Sequence, residues 1–490
     1  MNSKIIFATI ALALGSFMNV LDMTIVNVSL THIAGDFAVS PDQGTWVITS
    51  YAVAEAIFLP LIGWLTKRFG IIKQYLGATL LFTLASMLCG ISPSYEFLLG
   101  MRILQGVVGA SMIPLSQTLM LGLYPKEKKG VAMGIWSMTI VIAPVVGPIL
   151  GGWITDTASW RWCFYLNMPI GIISSFIVYQ LLKTEMKKEV SIKEPMDYMG
   201  FIFLAVGVGA LQIMLDKGND LDWFSSPTIV TLSIVAFVFL TMLVLWEWNH
   251  KDPIVNVRLF QDRNFFVGSV ALMFSVLAYF SGVVAIPLWL QNYMGYTAFI
   301  SGRSTATLGI AIMLVAPVIG KKIDKQDARK VGAVGFLLLA AASFYTANYS
   351  PEVTPGYISY TRFLNGFGVG IFFLSLNTLT LSNISDENLA SASGIYNFMR
   401  NMGSSIGTSL VIPAWNHSMA LHHEIISSSI SSGNPNIPAT LLKSQGFLEM
   451  INMEITKQSA IMGINDILVG SGYIALSLIP FLFLAKSTKK

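Results

Sequence analysis

Charge is what this chain has least of. Only 11% of its 490 residues are Asp, Glu, Lys or Arg, where a soluble domain carries about one quarter. With 54% hydrophobic residues, a water-soluble fold could not cover its core, and lipid is the natural solvent. Cysteine is equally scarce. Cys89 and Cys163 both sit in apolar runs, which excludes a disulfide framework and a thiolate metal site. There is no Walker A sequence to power an ATP-driven pump, and no H-E-x-x-H or convergent nucleophile set to make an enzyme. A filter loop or pore-lining charge ring, which a channel needs, is also missing. The Lys and Arg residues form no stripe along a soluble domain, so nucleic acid is not an expected partner. No A-x-A-like cleavage site follows the apolar run from Ile5 to Leu21. The run continues through Asp22 to Leu30 and reads as a first membrane span rather than a signal peptide.

What the chain does have is long apolar segments. A bilayer core takes about 20 helical residues to cross. Candidate spans fall near 5–30, 44–66, 74–92, 95–123, 130–154, 162–182, 198–215, 227–246, 265–291, 300–320, 331–347, 356–381, 391–413 and 465–486. Fourteen spans with short Pro- and Gly-containing connections predict an all-α polytopic membrane protein. The runs are too long and too uniformly apolar for an outer-membrane barrel.

Positive charge is one-sided. With the N-terminus inside, roughly 22 Lys and Arg fall in inner loops and tails and about 4 in outer loops. The inner set includes Lys67, Arg68, Lys73, Lys126, Lys128, Lys129, Lys321, Lys322, Lys325, Lys486, Lys489 and Lys490; the outer set is Arg161, Lys217, Lys443 and Lys457. Both termini are therefore expected to be cytoplasmic, in a bacterial inner membrane. Trp46, Trp160, Trp223, Trp289 and Trp415 near outer ends, and Trp64, Trp246 and Trp248 near inner ends, fit the aromatic belt.

The sequence repeats itself. Arg102-Ile-Leu-Gln-Gly106 recurs as Arg362-Phe-Leu-Asn-Gly366, and Gln117-Thr-Leu-Met-Leu121 as Asn377-Thr-Leu-Thr-Leu381. Gly134-Ile-Trp136 matches Gly394-Ile-Tyr396, and Gly147 matches Gly407. Each pair is separated by 260 residues in the printed numbering. Spans 4 and 5 thus correspond to spans 12 and 13, with an even number of crossings between them. The expected organisation is an N-terminal six-helix bundle over 1–182, a linker with two extra spans over 183–264, and a second six-helix bundle over 265–490. Parallel six-helix halves place a substrate near the midplane between them.

These motifs, in this order, resemble the 14-helix drug:proton antiporter branch of the major facilitator superfamily, over nearly the whole chain. Leu21-Asp22-Met-Thr24-Ile-Val-Asn27-Val looks like the branch's first-helix motif, and Arg102-Ile-Leu-Gln105-Gly106 like the superfamily's helix-4 motif. Pro144-Val-Val-Gly147-Pro148-Ile-Leu-Gly151-Gly152 resembles the helix-5 antiporter motif. Trp160-Arg-Trp-Cys-Phe-Tyr-Leu-Asn167-Met-Pro169-Ile-Gly171 is similar to the helix-6 entry. Leu215-Asp-Lys-Gly218 with Leu221-Asp-Trp-Phe224 looks specific to the subgroup that forms the membrane subunit of tripartite multidrug pumps. The loop Gly63-Trp-Leu-Thr-Lys67-Arg68-Phe-Gly70 departs from the pattern: Lys67 stands where the superfamily has an acid.

The resemblance implies a proton-coupled efflux antiporter that exports hydrophobic or amphipathic toxic compounds. It implies no cofactor beyond the proton gradient. It also implies a periplasmic adaptor and an outer-membrane channel as partners. An importer or facilitator of a metabolite with the same fold is the alternative, against which the antiporter motif and the acid in span 1 both argue.

Ionisable side chains inside a membrane are costly and so are functional candidates. Asp22, Glu55 and Arg102 lie about eight, eleven and seven residues from the outer ends of their spans, roughly 12, 16 and 11 Å deep. Asp22 is the leading proton carrier, Arg102 its tuning partner, and Glu55 a second carrier or a cation site. A purely structural Asp22–Arg102 ion pair is the other reading. Pro144, Gly147, Pro148, Gly151 and Gly152 are expected to bend span 5 and pack it against the other bundle as a gate. Asn27, Gln105, Arg362 and Arg400 are the candidate substrate-facing residues. Arg362 also reads as the mere repeat image of Arg102, and Arg400 as a snorkelling residue. Residues 414–464 read as a long polar periplasmic loop. Its His417, His422 and His423 lack the companions of a metal site, and the loop is the expected adaptor contact.

Overall fold

The computed structural model describes residues 3–125, 128–187, 195–323, 325–430 and 445–488. Lys126, Lys443, Lys489 and Lys490 of the charge asymmetry lie outside the described residues. In hydrocarbon every backbone polar group must pair within the protein, and the described residues form helices and turns with no strand. In the first half these are α1 (Ser3–Asp36), α2 (Trp46–Phe69), α3 (Ile71–Gly90), α4 (Tyr95–Leu123), α5 (Lys129–Thr157) and α6 (Arg161–Met186). Two more follow, α7 (Tyr198–Lys217) and α8 (Pro227–Asn249). The second half holds α9 (Arg263–Asn292), α10 (Ala298–Ile323), α11 (Ala328–Thr346), α12 (Pro355–Leu381), α13 (Leu389–Ser428) and α14 (Gln445–Leu482).

By length and hydropathy, 12 of these helices qualify as membrane spans, and α5, bent by 41° beside Pro144, makes 13. Proline cannot donate to the helical ladder and crowds the preceding turn, which accounts for the bend. The fourteenth expected span, 391–413, lies in α13. Its Arg400 and its many Ser and Asn residues make it too polar to qualify by composition, yet it packs between α9 and α14.

The two halves repeat in packing as they do in sequence. In the first, α1 packs on α4, α5 and α6, while α4 also meets α2 and α3, and α3 meets α6. In the second, α9 packs on α12, α13 and α14, while α12 meets α10 and α11, and α11 meets α14. Gly106 shows why the motif recurs. A Cβ there would run into the Tyr51 carbonyl and the Ala54 side chain of α2, and one at Gly366 into the Leu308 carbonyl and Ala311 of α10. Each glycine lets two helix backbones approach closely.

Two seams join the halves. Along the first, α5 lies against α10. A Cβ on Gly134 would sit 2.8 Å from the Ala316 carbonyl, and one on Gly320 2.6 Å from the Gly130 carbonyl. Gly302 and Gly309 continue that seam against Ile149 and Ile142. The second seam is its symmetry counterpart, α2 against α13, where Gly63 meets Ser391 and Gly394 meets the Leu59 carbonyl. Further along, the extra helix α7 lies against both α2 and α13. Gln212 Nε2 donates to Ser405 Oγ at 3.0 Å, Asn219 Nδ2 to the Ser409 carbonyl at 3.2 Å, and Lys217 Nζ to Thr45 Oγ1 at 2.6 Å. α8 packs on α7 and presents most of its apolar surface outward.

The expected long loop over 414–464 is corrected. α13 continues to Ser428 and α14 begins at Gln445, so only 431–444 falls outside the described residues. His422 Nε2 lies 2.7 Å from Asp466 Oδ2, and His423 Nε2 lies 3.2 Å from Asn452 Oδ1.

Candidate functional site

Asp22 sits midway along α1 and is fully buried, as is Arg102 of α4. Arg102 Nη1 donates to Asp22 Oδ2 at 2.6 Å. Two amides hold the other oxygen: Gln105 Nε2 donates to Asp22 Oδ1 at 3.1 Å and Asn167 Nδ2 at 2.5 Å. The helical spacing of Arg102 and Gln105, three apart, places both on one face, and Arg102 Nη1 also donates to Gln105 Oε1 at 2.9 Å. Arg102 Nε donates to the Val47 carbonyl at 3.0 Å, and the guanidinium lies over the Tyr51 ring at 4.5 Å. Asn19 extends the network by donating at 3.0 Å to both Tyr51 Oη and the Gly109 carbonyl. Every partner belongs to the first bundle. Asp22 therefore lies in the interior of one half, enclosed by α1, α2, α4 and α6. Charge-assisted bonds of this kind are the strong ones.

Glu55 occupies a similar height and a different direction. It is 2% exposed, and Asn401 Nδ2 of α13 donates to its Oε2 at 3.0 Å across the second seam. Arg400 Nη2 donates to Asn401 Oδ1 at 3.2 Å, so an acid of one half faces a base of the other through a shared amide. Around this point the halves exchange further polar contacts. Asn397 Nδ2 donates to Gln117 Oε1 at 3.0 Å and Thr118 Oγ1 to Ser393 Oγ at 3.2 Å. Among the described residues, Arg400 Nη1 and Gln117 Nε2 are buried there without a hydrogen-bond partner. Unpaired buried polar atoms are costly and mark places where an arrangement changes or a ligand binds.

The structure thus separates the expected site residues. Asp22, Arg102 and Gln105 meet inside the first bundle; Glu55 and Arg400 meet between the bundles; Arg362 is buried inside the second bundle. Asn27 is exposed on α1. Gln105 and Arg362 do not face the other half. The glycines of span 5 are corrected in direction: a Cβ on Gly147 would strike Thr24, one on Gly151 the Ile25 carbonyl, and one on Gly152 would lie 3.7 Å from Val28. They pack α5 against α1 within the same bundle, and other α5 residues, Gly134, Ile142 and Ile149, form the seam. Asn167, Asn401 and Asn397 were missed as site residues. Asn167 stood in the helix-6 motif, but nothing in the sequence pairs Asn401 with Glu55, 346 positions away.

Two helical bundles related by an internal repeat, with ionisable groups sealed inside one and across the seam between both, define a multi-pass membrane transporter. The Major Facilitator Superfamily model matches residues 12–408, and the chain belongs to that family. It is 40% identical over 493 residues to the multidrug export protein EmrB of Escherichia coli K12, covering 99% of this chain and 96% of that one. It is 40% identical over 487 residues to the fatty acid resistance protein FarB of Neisseria gonorrhoeae, covering 98% and 96%. The crystal structure of the human organic anion transporter MFSD10 superimposes with a TM-score of 0.58 at 10% identity, covering 96% of this chain and 99% of that one. That likeness is one of fold.

Proposed function

We propose that the chain is a proton-driven exporter of hydrophobic or amphipathic toxic compounds in a bacterial inner membrane, with both termini cytoplasmic. The family and the near-full-length similarity to proteins named for multidrug export and fatty acid resistance support this reading. The observation that carries it is the placement of Glu55, a buried carboxylate held by Asn401 across the seam between the halves. A proton on Glu55 removes the charge that faces Arg400, and with it the electrostatic reason for the halves to stay together there. Loss of the proton restores it. Asp22 is the second acid of the cycle, and Arg102, Gln105 and Asn167 set how readily it takes a proton.

The driving cycle is tested in everted vesicles holding a pre-formed proton gradient. Addition of a hydrophobic drug is expected to discharge the gradient with the wild type and not with Glu55→Gln or Asp22→Asn. A full discharge by both variants refutes the assignment.

We also propose that the chain is the membrane subunit of a tripartite pump, with a periplasmic adaptor seated on the extensions of α13 and α14. Ile425, Met450 and Met453 are 65%, 60% and 74% exposed there, more apolar surface than a solvated hairpin needs. Deleting 425–445 should abolish co-purification of the adaptor while the protein still inserts; unchanged co-purification removes the proposal.

A further inference from the structure

The internal repeat exposes a missing acid. α1 begins at Ser3 and α9 at Arg263, the same offset of 260 that relates Arg102 to Arg362. On that offset the counterpart of Asp22 is Gly282. The geometry agrees with the numbering. A Cβ built on Gly282 lies 3.0 Å from Arg362 Nη1, while in the first bundle Arg102 Nη1 lies 2.6 Å from Asp22 Oδ2. The second bundle keeps the arginine, the close-packing Gly366 and the amide at Asn365, and has no carboxylate at the position matching Asp22.

Arg362 is 4% exposed and makes no ion pair among the described residues. Its Nε is buried without a hydrogen-bond partner, and so is Tyr279 Oη of α9. Both residues line one small cavity, with Gly282, Ser343 and Asn365. Among the described residues, the titratable groups that act on Arg362 from the packed helices are the phenols of Tyr279 and Tyr349. Tyr349 Oη is already engaged with Thr361 Oγ1 at 2.7 Å. A guanidinium does not give up its proton in a protein. An isolated buried charge is too costly to leave without a counter-charge.

The cavity is small, with room for about one water-sized particle. So narrow a space favours a monatomic anion over a drug carboxylate with its hydrocarbon body. We propose that the second bundle holds a chloride-class halide ion between Arg362 and Tyr279, in the place that the Asp22 carboxylate takes in the first. Arg362 supplies the charge and Tyr279 Oη a hydrogen-bond donor. The ion stabilises the bundle by binding the folded state only.

The test uses the full chain in detergent. Its melting temperature is measured in sodium chloride, bromide, acetate and gluconate at equal ionic strength. Chloride and bromide are expected to raise it by at least about 3 °C over gluconate, and acetate is not. Gly282→Asp supplies an internal carboxylate and should abolish the halide dependence. Arg362→Met, which removes the charge, should abolish it too, so the test survives if one variant fails to fold. A crystal grown in bromide should show anomalous density beside Arg362. Equal melting in all four salts overturns the proposal, as does a halide effect that persists in both variants or bromide density only elsewhere.

Discussion

Asn401 of the second bundle donates a 3.0 Å hydrogen bond to Glu55 of the first, and Arg400 stands beside it. The contact joins the two halves, and the neighbouring contacts of Asn397 with Gln117 and of Thr118 with Ser393 are between neutral groups. It is therefore the point where a change of charge acts directly on the association of the halves.

Glu55→Gln keeps an oxygen for Asn401 and removes the charge facing Arg400. Drug transport driven by an imposed pH gradient is expected to fall at least about tenfold, ~1.4 kcal/mol in the barrier. Equilibrium drug binding should change far less. Flux assays beside binding isotherms in proteoliposomes check both.

Asp22→Asn leaves Arg102 buried with its ion partner gone. Breaking one side of such a pair costs about 3–5 kcal/mol, so the variant should melt well below the wild type. Adding Arg102→Gln should recover most of that stability and none of the transport. Thermal unfolding in detergent, read with vesicle flux, distinguishes this from a role in folding alone.

Gly134→Val places a side chain against the Ala316 backbone, which cannot move aside cheaply. Overpacking of this kind costs about 1–3 kcal/mol. Transport should drop while the Asp22 network stays intact. A disulfide trapped between cysteines introduced at Val131 and Ile319 should form more slowly in this variant than in its parent.

Asp327 caps α11 and accepts from Arg329 Nη2 at 2.7 Å and from Ser487 Oγ at 3.0 Å. The hydrogen bonds from Arg329 are the largest influence and hold its carboxyl down to about 2. A lowered folded value means the stabilisation is full above the ordinary value of 3.8 and fades as pH falls toward 2. Proteolytic release of the C-terminal tail should thus be flat from pH 7 to 5 and rise below about 4. Asp327→Asn should show fast release at every pH.

The architecture was legible because it rests on period and composition. Long apolar runs set the helices, and the 260-residue offset set the pairing of helices within each half. The direction in which each site residue points was not legible. Counting residues from a helix end placed Asp22, Glu55 and Arg102 at one depth, but each residue turns the helix by about 100°, and Glu55 points to the other half. The same rotation turned Gly147 and Gly151 toward α1. The extra pair α7 and α8 has no repeat image, so the sequence held no cue to its place beside the second seam. The stretch 414–464 was misread as loop because polarity by itself does not signal the absence of a helix.

α7 has one further consequence. It bridges α2 and α13 on one side of the molecule, while the equivalent flank along α5 and α10 has no such insert among the described helices. The two joints are thus unequal, one stitched directly and one shimmed. Any tilt of one half against the other must slide α7 along at least one neighbour, breaking its bonds to Ser405 and Ser409 or its bond to Thr45. The motion is that of a hinge with a spine on one edge, and helix α7 is the part that wears.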